Sequence, residues 1–122
     1  MSFNWIEYIN LAEELLSKSD ESSFRSSISR AYYGVFCIAR KKKFYQKYTG
    51  SDIHWKVINE YWNSENRDER RIGRILAQLR KSRNYADYDE EITIKKTDAE
   101  TALKFAKDIL AIMQIAYKDN RK

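Results

Sequence analysis

The chain of 122 residues contains no proline and only three glycines, Gly34, Gly50 and Gly73. Proline interrupts helices because it lacks the backbone donor and its ring collides with the preceding turn. A chain without it can run helix after helix, ended only by caps, glycine and polar turns. Sustained apolar–polar alternation, the mark of a half-buried strand, is missing, whereas the helical period recurs five times.

The spacing predicts helices over residues 4–18, 21–47, 52–63, 67–88 and 98–118. In the first, Trp5, Ile9, Ala12 and Leu16 form one stripe, and Asn4 with Glu7 resembles a capping box. In the second, Phe24, Ile28, Ala31, Tyr32, Val35 and Ala39 share a face. It ends in the basic, aromatic run Arg40-Lys41-Lys42-Lys43-Phe44-Tyr45, and cations suit a helix C-terminus. The segment Tyr48-Thr49-Gly50-Ser51 reads as a break. Ile53, Val57 and Tyr61 mark the third stripe, with Trp62 a further inward candidate, and Ile72, Ile75, Leu76 and Leu79 the fourth. Residues 89–96 read as a loop, and Thr97 with Glu100 as the capping box of the last helix. From Ile109 to Tyr117 eight of nine residues are apolar. A helix apolar all round is buried all round. Such a fifth helix would occupy either the centre of the bundle or a subunit interface. The expected fold is all-α: one up-down bundle of four to five helices over residues 1–122, as a single domain.

Composition narrows the chemistry. Hydrophobic residues are 43% and charged residues 34% of the chain, a globular balance. The net charge of +5 permits a polyanionic partner without demanding one. Cys37 is the only cysteine, so an internal disulfide framework and a cysteine-based zinc site are excluded. His54 is the only histidine, which excludes a two-histidine metal site within one chain. No metal or other cofactor is expected. Glu7, Glu13 and Glu14 interrupt the N-terminal apolar pattern, so a signal peptide is not expected there. No apolar run reaches spanning length, and a cytoplasmic protein off the membrane is the expectation.

Two polar segments lie on helical patterns: Ser29-Arg30-Ala31-Tyr32-Tyr33, and Arg83-Asn84-Tyr85-Ala86-Asp87-Tyr88. Arg83 and Asp87 are four apart and share a face, which makes either a plain ion pair or a phosphate clamp held in one rotamer. Asn84 offers a second donor to phosphate. Tyr85 and Tyr88, like Tyr32 and Tyr33, fit a core edge or a base-stacking surface. His54 alone has an unperturbed pKa suited to proton transfer near neutrality. The run from Arg40 to Lys43 fits a solvated helix end or a nucleic-acid track, while Asp87, Asp89, Glu90 and Glu91 would repel phosphate.

The stretch Ser29-Arg30-Ala31-Tyr32-Tyr33-Gly34-Val35-Phe36 resembles the second-helix signature of HEPN domains (higher eukaryotes and prokaryotes nucleotide-binding). His54, Gly73-Arg74-Ile75-Leu76, Leu79, Arg83 and Ala86-Asp87-Tyr88-Asp89 follow in the order of a short stand-alone subgroup with an Ala-Asp-Tyr motif. The resemblance spans about residues 5–115. It implies an all-α bundle that dimerises about a two-fold axis. It also implies a metal-independent endoribonuclease, acting as a toxin beside a minimal nucleotidyltransferase antitoxin or in phage defence. The family motif is an arginine, a polar residue, and a histidine four to six residues on. Arg83 matches the arginine and Asn84 the polar residue. The histidine has no counterpart, since Asp87 and Tyr88 occupy that stretch. The resemblance then leaves proton transfer to His54 or Asp87, and RNA or nucleotide contacts to Arg30, Tyr33, Tyr85 and Tyr88. It also suggests Tyr85 or Tyr88 as targets for nucleotidylation. The competing readings are a non-catalytic module that binds nucleotide, RNA or a nucleotidyltransferase, and a plain helical oligomerisation domain.

Overall fold

In a computed structural model, residues 2–44, 50–115 and 117 are described. Five helices follow one another: α1 (Ile6–Leu15), α2 (Glu21–Lys43), α3 (Ile53–Trp62), α4 (Arg67–Tyr88) and α5 (Lys96–Ile112). No strand occurs among the described residues. The long α2 lies at the centre and packs against each of the other four. Its apolar stripe supplies Ile28, Ala31, Tyr32, Val35 and Phe36 to a core that also takes residues from every other helix.

Local chemistry sets the helix starts. Asp20 caps α2 by accepting from the Ser23 N–H at 2.8 Å, and Asn66 caps α4 by accepting from the Glu69 N–H at 3.0 Å. Asn4 Oδ1 accepts from the Ile6 N–H at 3.1 Å, an Asx turn just ahead of α1, whose N-cap residue Trp5 makes no side-chain cap bond. The expected box at Thr97 and Glu100 is corrected: α5 begins at Lys96, and the Asp98 carboxylate reaches back to the Lys95 N–H at 2.8 Å. A carboxylate on the first turn serves both the orphan donor and the helix dipole.

Two close approaches fix the packing. A Cβ on Gly34 would stand 2.5 Å from Ile9 Cδ1, which brings α1 tight against α2. A Cβ on Gly73 would stand 2.4 Å from the Trp62 backbone nitrogen, so glycine lets α4 pass directly under the end of α3.

The ends of α2 and α5 differ from expectation. α2 stops at Lys43 and Phe44 is extended, with Phe44 N–H bonded to Arg40 O at 2.8 Å. The expected continuation through residues 45–47 lies outside the described residues. α5 stops at Ile112 rather than 118. Gln114 takes φ 59°, Gln114 N–H bonds Ala111 O at 3.0 Å, and Ile115 N–H bonds Leu110 O at 2.9 Å. This is a Schellman ending, with glutamine where glycine usually sits. The apolar run 109–117 is therefore not one helix apolar all round. Ile109, Leu110 and Met113 enter the core, and beyond the turn the Tyr117 hydroxyl donates to Glu13 Oε2 at 2.8 Å. Its apolar excess is absorbed by folding back on α1, so the segment gives no argument for a subunit interface.

Candidate active site around Arg83

Arg83 lies near the end of α4 and is only 6% exposed. Helical spacing on α2 puts Ser29, Tyr32, Tyr33 and Phe36 on the face toward it. The guanidinium carbon stands 5.2 Å from the Tyr33 ring, 5.3 Å from Tyr32 and 5.9 Å from Tyr88. Three π-faces thus hold one cation, an arrangement that stabilises charge without neutralising it. The nearest carboxylate is Asp87, with Oδ2 at 3.9 Å from Nη1, a loose pair. The same oxygen accepts from Ser29 Oγ at 3.3 Å. Arg83 Nε is buried and has no hydrogen-bond partner. A planar guanidinium so placed has spare donor capacity.

α3 brings His54 to this cluster. Its ring stacks on Phe36 at 4.3 Å and lies 5.6 Å from Tyr32 and 5.7 Å from Tyr33. His54 Nδ1 is 2.6 Å from the Tyr32 hydroxyl. Burial lowers the His54 pKa to about 4, helped by the positive charges of Arg83 and Arg80. Burial likewise pushes the Tyr32 hydroxyl far above its ordinary value, although the same arginines pull the other way. At neutral pH the phenol is the donor and the neutral imidazole accepts at Nδ1, which leaves the ring proton on Nε2.

Arg30 is stacked 4.7 Å over Tyr8 and lies 5.7 Å from Tyr33. The Tyr33 ring therefore lies near two guanidinium groups, those of Arg30 and Arg83. Tyr88 is 72% exposed and stands at the rim.

The bundle thus gathers Arg83, Asp87, Tyr33, Tyr88, His54 and, at one remove, Arg30. It separates the other two candidates. Asn84 is exposed, because one helical step turns it about 100° from Arg83. Tyr85 faces the α2–α5 side, where its ring lines a groove with Ile28, Ile92 and Phe105. Its carbonyl accepts from Arg25 Nη1 at 3.3 Å, and Arg25 also bonds Ala86 O at 3.0 Å and Ile92 O at 2.7 Å. Arg25 therefore closes the C-terminal end of α4 and ties down the loop after it, a role that sequence reading missed. Arg80 and Phe36 were also missed as neighbours of His54; Arg80 lies one turn before Arg83, which was the available signal. In the basic run, Lys43 is committed to structure: its ammonium bonds Glu69 Oε1 at 2.8 Å and sits 5.3 Å from the Tyr61 ring.

Among the described residues no group of three or more His, Cys, Asp or Glu is placed to hold a metal ion. No described helix is long and apolar enough to cross a membrane. The HEPN domain family model matches residues 6–116, so the chain belongs to the HEPN domain family. HEPN domains are often ribonucleases or nucleotide-binding modules. No curated protein and no solved structure matches the chain.

Proposed function

We propose that this HEPN domain acts on RNA as a homodimeric, metal-independent endoribonuclease of the toxin or defence type. The observation that carries the reading is the Arg83 guanidinium: nearly buried, ringed by tyrosines, loosely paired, and with an unpartnered Nε. Such a group supplies what a phosphate diester lacks in water, a desolvated cation aimed at its non-bridging oxygens. The RNA 2′-hydroxyl attacks the adjacent phosphorus and the bond to the 5′-oxygen breaks. The products are a 2′,3′-cyclic phosphate and a free 5′-hydroxyl, the leaving oxygen taking its proton from water.

Asp87 takes the 2′ proton, since it is the carboxylate beside Arg83. His54 does not act as an acid here, because a group with a pKa of about 4 holds no spare proton at neutral pH. Its Nε2–H is a hydrogen-bond donor that Tyr32 orients. Arg30 and Tyr33 extend the cleft, and a second copy completes it. RNA incubated with pure protein in excess EDTA tests the reading. Cleavage to cyclic-phosphate ends by the wild type, lost in Arg83→Ala of equal helicity, is the expected result. Intact RNA at high protein concentration contradicts it.

A second reading is favoured by one observation, the missing motif histidine, whose stretch holds Asp87 and Tyr88. In it the same cleft binds RNA or nucleotide without cutting. Tight binding without cleavage is its signature.

In either case a minimal nucleotidyltransferase is the proposed partner. Tyr88 is the better acceptor for nucleotidylation than Tyr85, because it is both exposed and within 5.9 Å of the Arg83 guanidinium carbon. A nucleotide attached there would occupy the cleft. Co-expression should raise the intact mass by one nucleotide in the wild type and not in Tyr88→Phe.

A further inference from the structure

The exposed face of α3 carries two large aromatic side chains that the core does not use. Trp55 is 59% exposed and Trp62 is 46% exposed. They are seven residues apart, so they stand on one face about 10 Å apart along the axis. Between them Ile58 and Asn59 complete the α3 wall of a groove, and Ala77 and Arg80 of α4 form the other wall. Gly73 makes the groove possible by letting α4 run against the end of α3.

The groove is cationic as well as aromatic. Arg74 lies 5.8 Å from the Trp62 ring. Arg80 lines the groove, and its buried Nε has no hydrogen-bond partner. The helix that forms this second wall, α4, carries seven Arg and Lys against three Asp and Glu. Trp55 follows His54 on α3, and Arg80 stands one turn before Arg83 on α4, which places this groove beside the Arg83 cluster. A protein partner's apolar helix would leave Arg74 and Arg80 facing apolar surface. A polyanion with flat apolar faces satisfies both kinds of group at once.

We infer that the α3–α4 groove is a base-stacking subsite for single-stranded RNA, with Trp55 and Trp62 taking unpaired bases and Arg74 and Arg80 the intervening phosphates. Stacking on tryptophan is tolerant of sequence, since every base offers a π-face. Asn59 is the one uncharged polar side chain of the groove wall and the candidate for reading a base edge. The inference rests on the RNA reading above and adds how the strand is held outside the Arg83 cleft.

The test uses fluorescence anisotropy with a labelled 2′-O-methyl oligouridylate, which lacks the nucleophile and stays intact. An abasic oligomer of equal length is the control. The unsubstituted 122-residue chain is compared with Trp55→Ala/Trp62→Ala and with Arg83→Gln. The expected result is a loss of affinity of about 5- to 100-fold for the oligouridylate in each tryptophan-to-alanine step. The same double variant should bind the abasic oligomer as the wild type does, and Trp55→Phe/Trp62→Phe should recover most of the affinity. Arg83→Gln should weaken binding to both oligomers. If the double alanine variant binds oligouridylate like the wild type while Arg83→Gln does not, the subsite is overturned and the RNA reading stands. If the wild type binds neither oligomer, the RNA reading falls and the subsite with it. If the double variant changes only the oligomeric mass in solution, the groove is a contact between copies of the chain and the inference is overturned.

Discussion

Two buried charges in this bundle are treated in opposite ways. Glu13 on α1 is 1% exposed and fully answered: Lys107 of α5 bonds its Oε1 and Tyr117 donates to its Oε2. Arg83 on α4 is 6% exposed and left incomplete, with rings around it, a carboxylate at 3.9 Å and an unpartnered Nε. A closed set of partners makes Glu13 a structural clasp between α1 and α5. An open set keeps Arg83 available to an anion that is not part of the chain. Burying a charge is costly unless it is paired, and this unfinished pairing is the observation on which the proposed phosphate contact rests.

The largest stability effect should come from the closed pair. Glu13→Ala leaves the Lys107 ammonium without its partner and a hole in the seam, and should cost about 3–5 kcal/mol in chemical denaturation. Arg83→Gln should cost less stability, because no close ion pair is broken, yet should lower RNA affinity about 10- to 100-fold. A reversal of that order would break the comparison. The site should also show in the pH dependence. His54 is the only histidine, so its ring signals in proton NMR titrate alone, with a midpoint about 4. In Arg83→Gln that midpoint should move up, since a neighbouring positive charge is gone. The folded pKa lies below the unfolded value of about 6.5, so the unfolded chain binds more protons between the two. His54 should therefore contribute a fall in stability as pH drops from about 6.5 toward 4, of at most about 2 kcal/mol after solvent screening. His54→Leu should remove the upper part of the slope, while Glu21 and Glu69, whose pKa values are lowered by their hydrogen bonds, keep a fall nearer pH 4. The smallest effect belongs to the clasp again: Tyr117→Phe removes one hydrogen bond to Glu13 and should cost about 1 kcal/mol.

The bundle was legible because its stripes repeat at three- and four-residue steps, and α4 fell at 67–88 in both sequence and structure. The pair Arg83 and Asp87 was legible for the same reason. Asn84 and Tyr85 adjoin Arg83 in sequence, but each helical step turns the side chain away, so adjacency does not bring them onto the Arg83 face. The bond between Tyr32 and His54 joins two helices and carries no local signal. The end of α5 was hidden because Gln114 adopts the backbone that glycine usually marks, and the start of α5 because Asp98 caps a lysine rather than a serine or threonine.

The central claim is that Arg83 is held open for phosphate and that Asp87 only loosely restrains it. The most direct measurement is the affinity of an uncleavable RNA for Asp87→Asn beside Arg83→Gln, at one salt concentration. Removing the carboxylate removes a charge that repels phosphate and competes for the guanidinium. Asp87→Asn should bind RNA about 3- to 10-fold more tightly, while Arg83→Gln should bind more weakly. Equal affinities in wild type and both variants would show that the pair belongs to the scaffold, and would contradict the account.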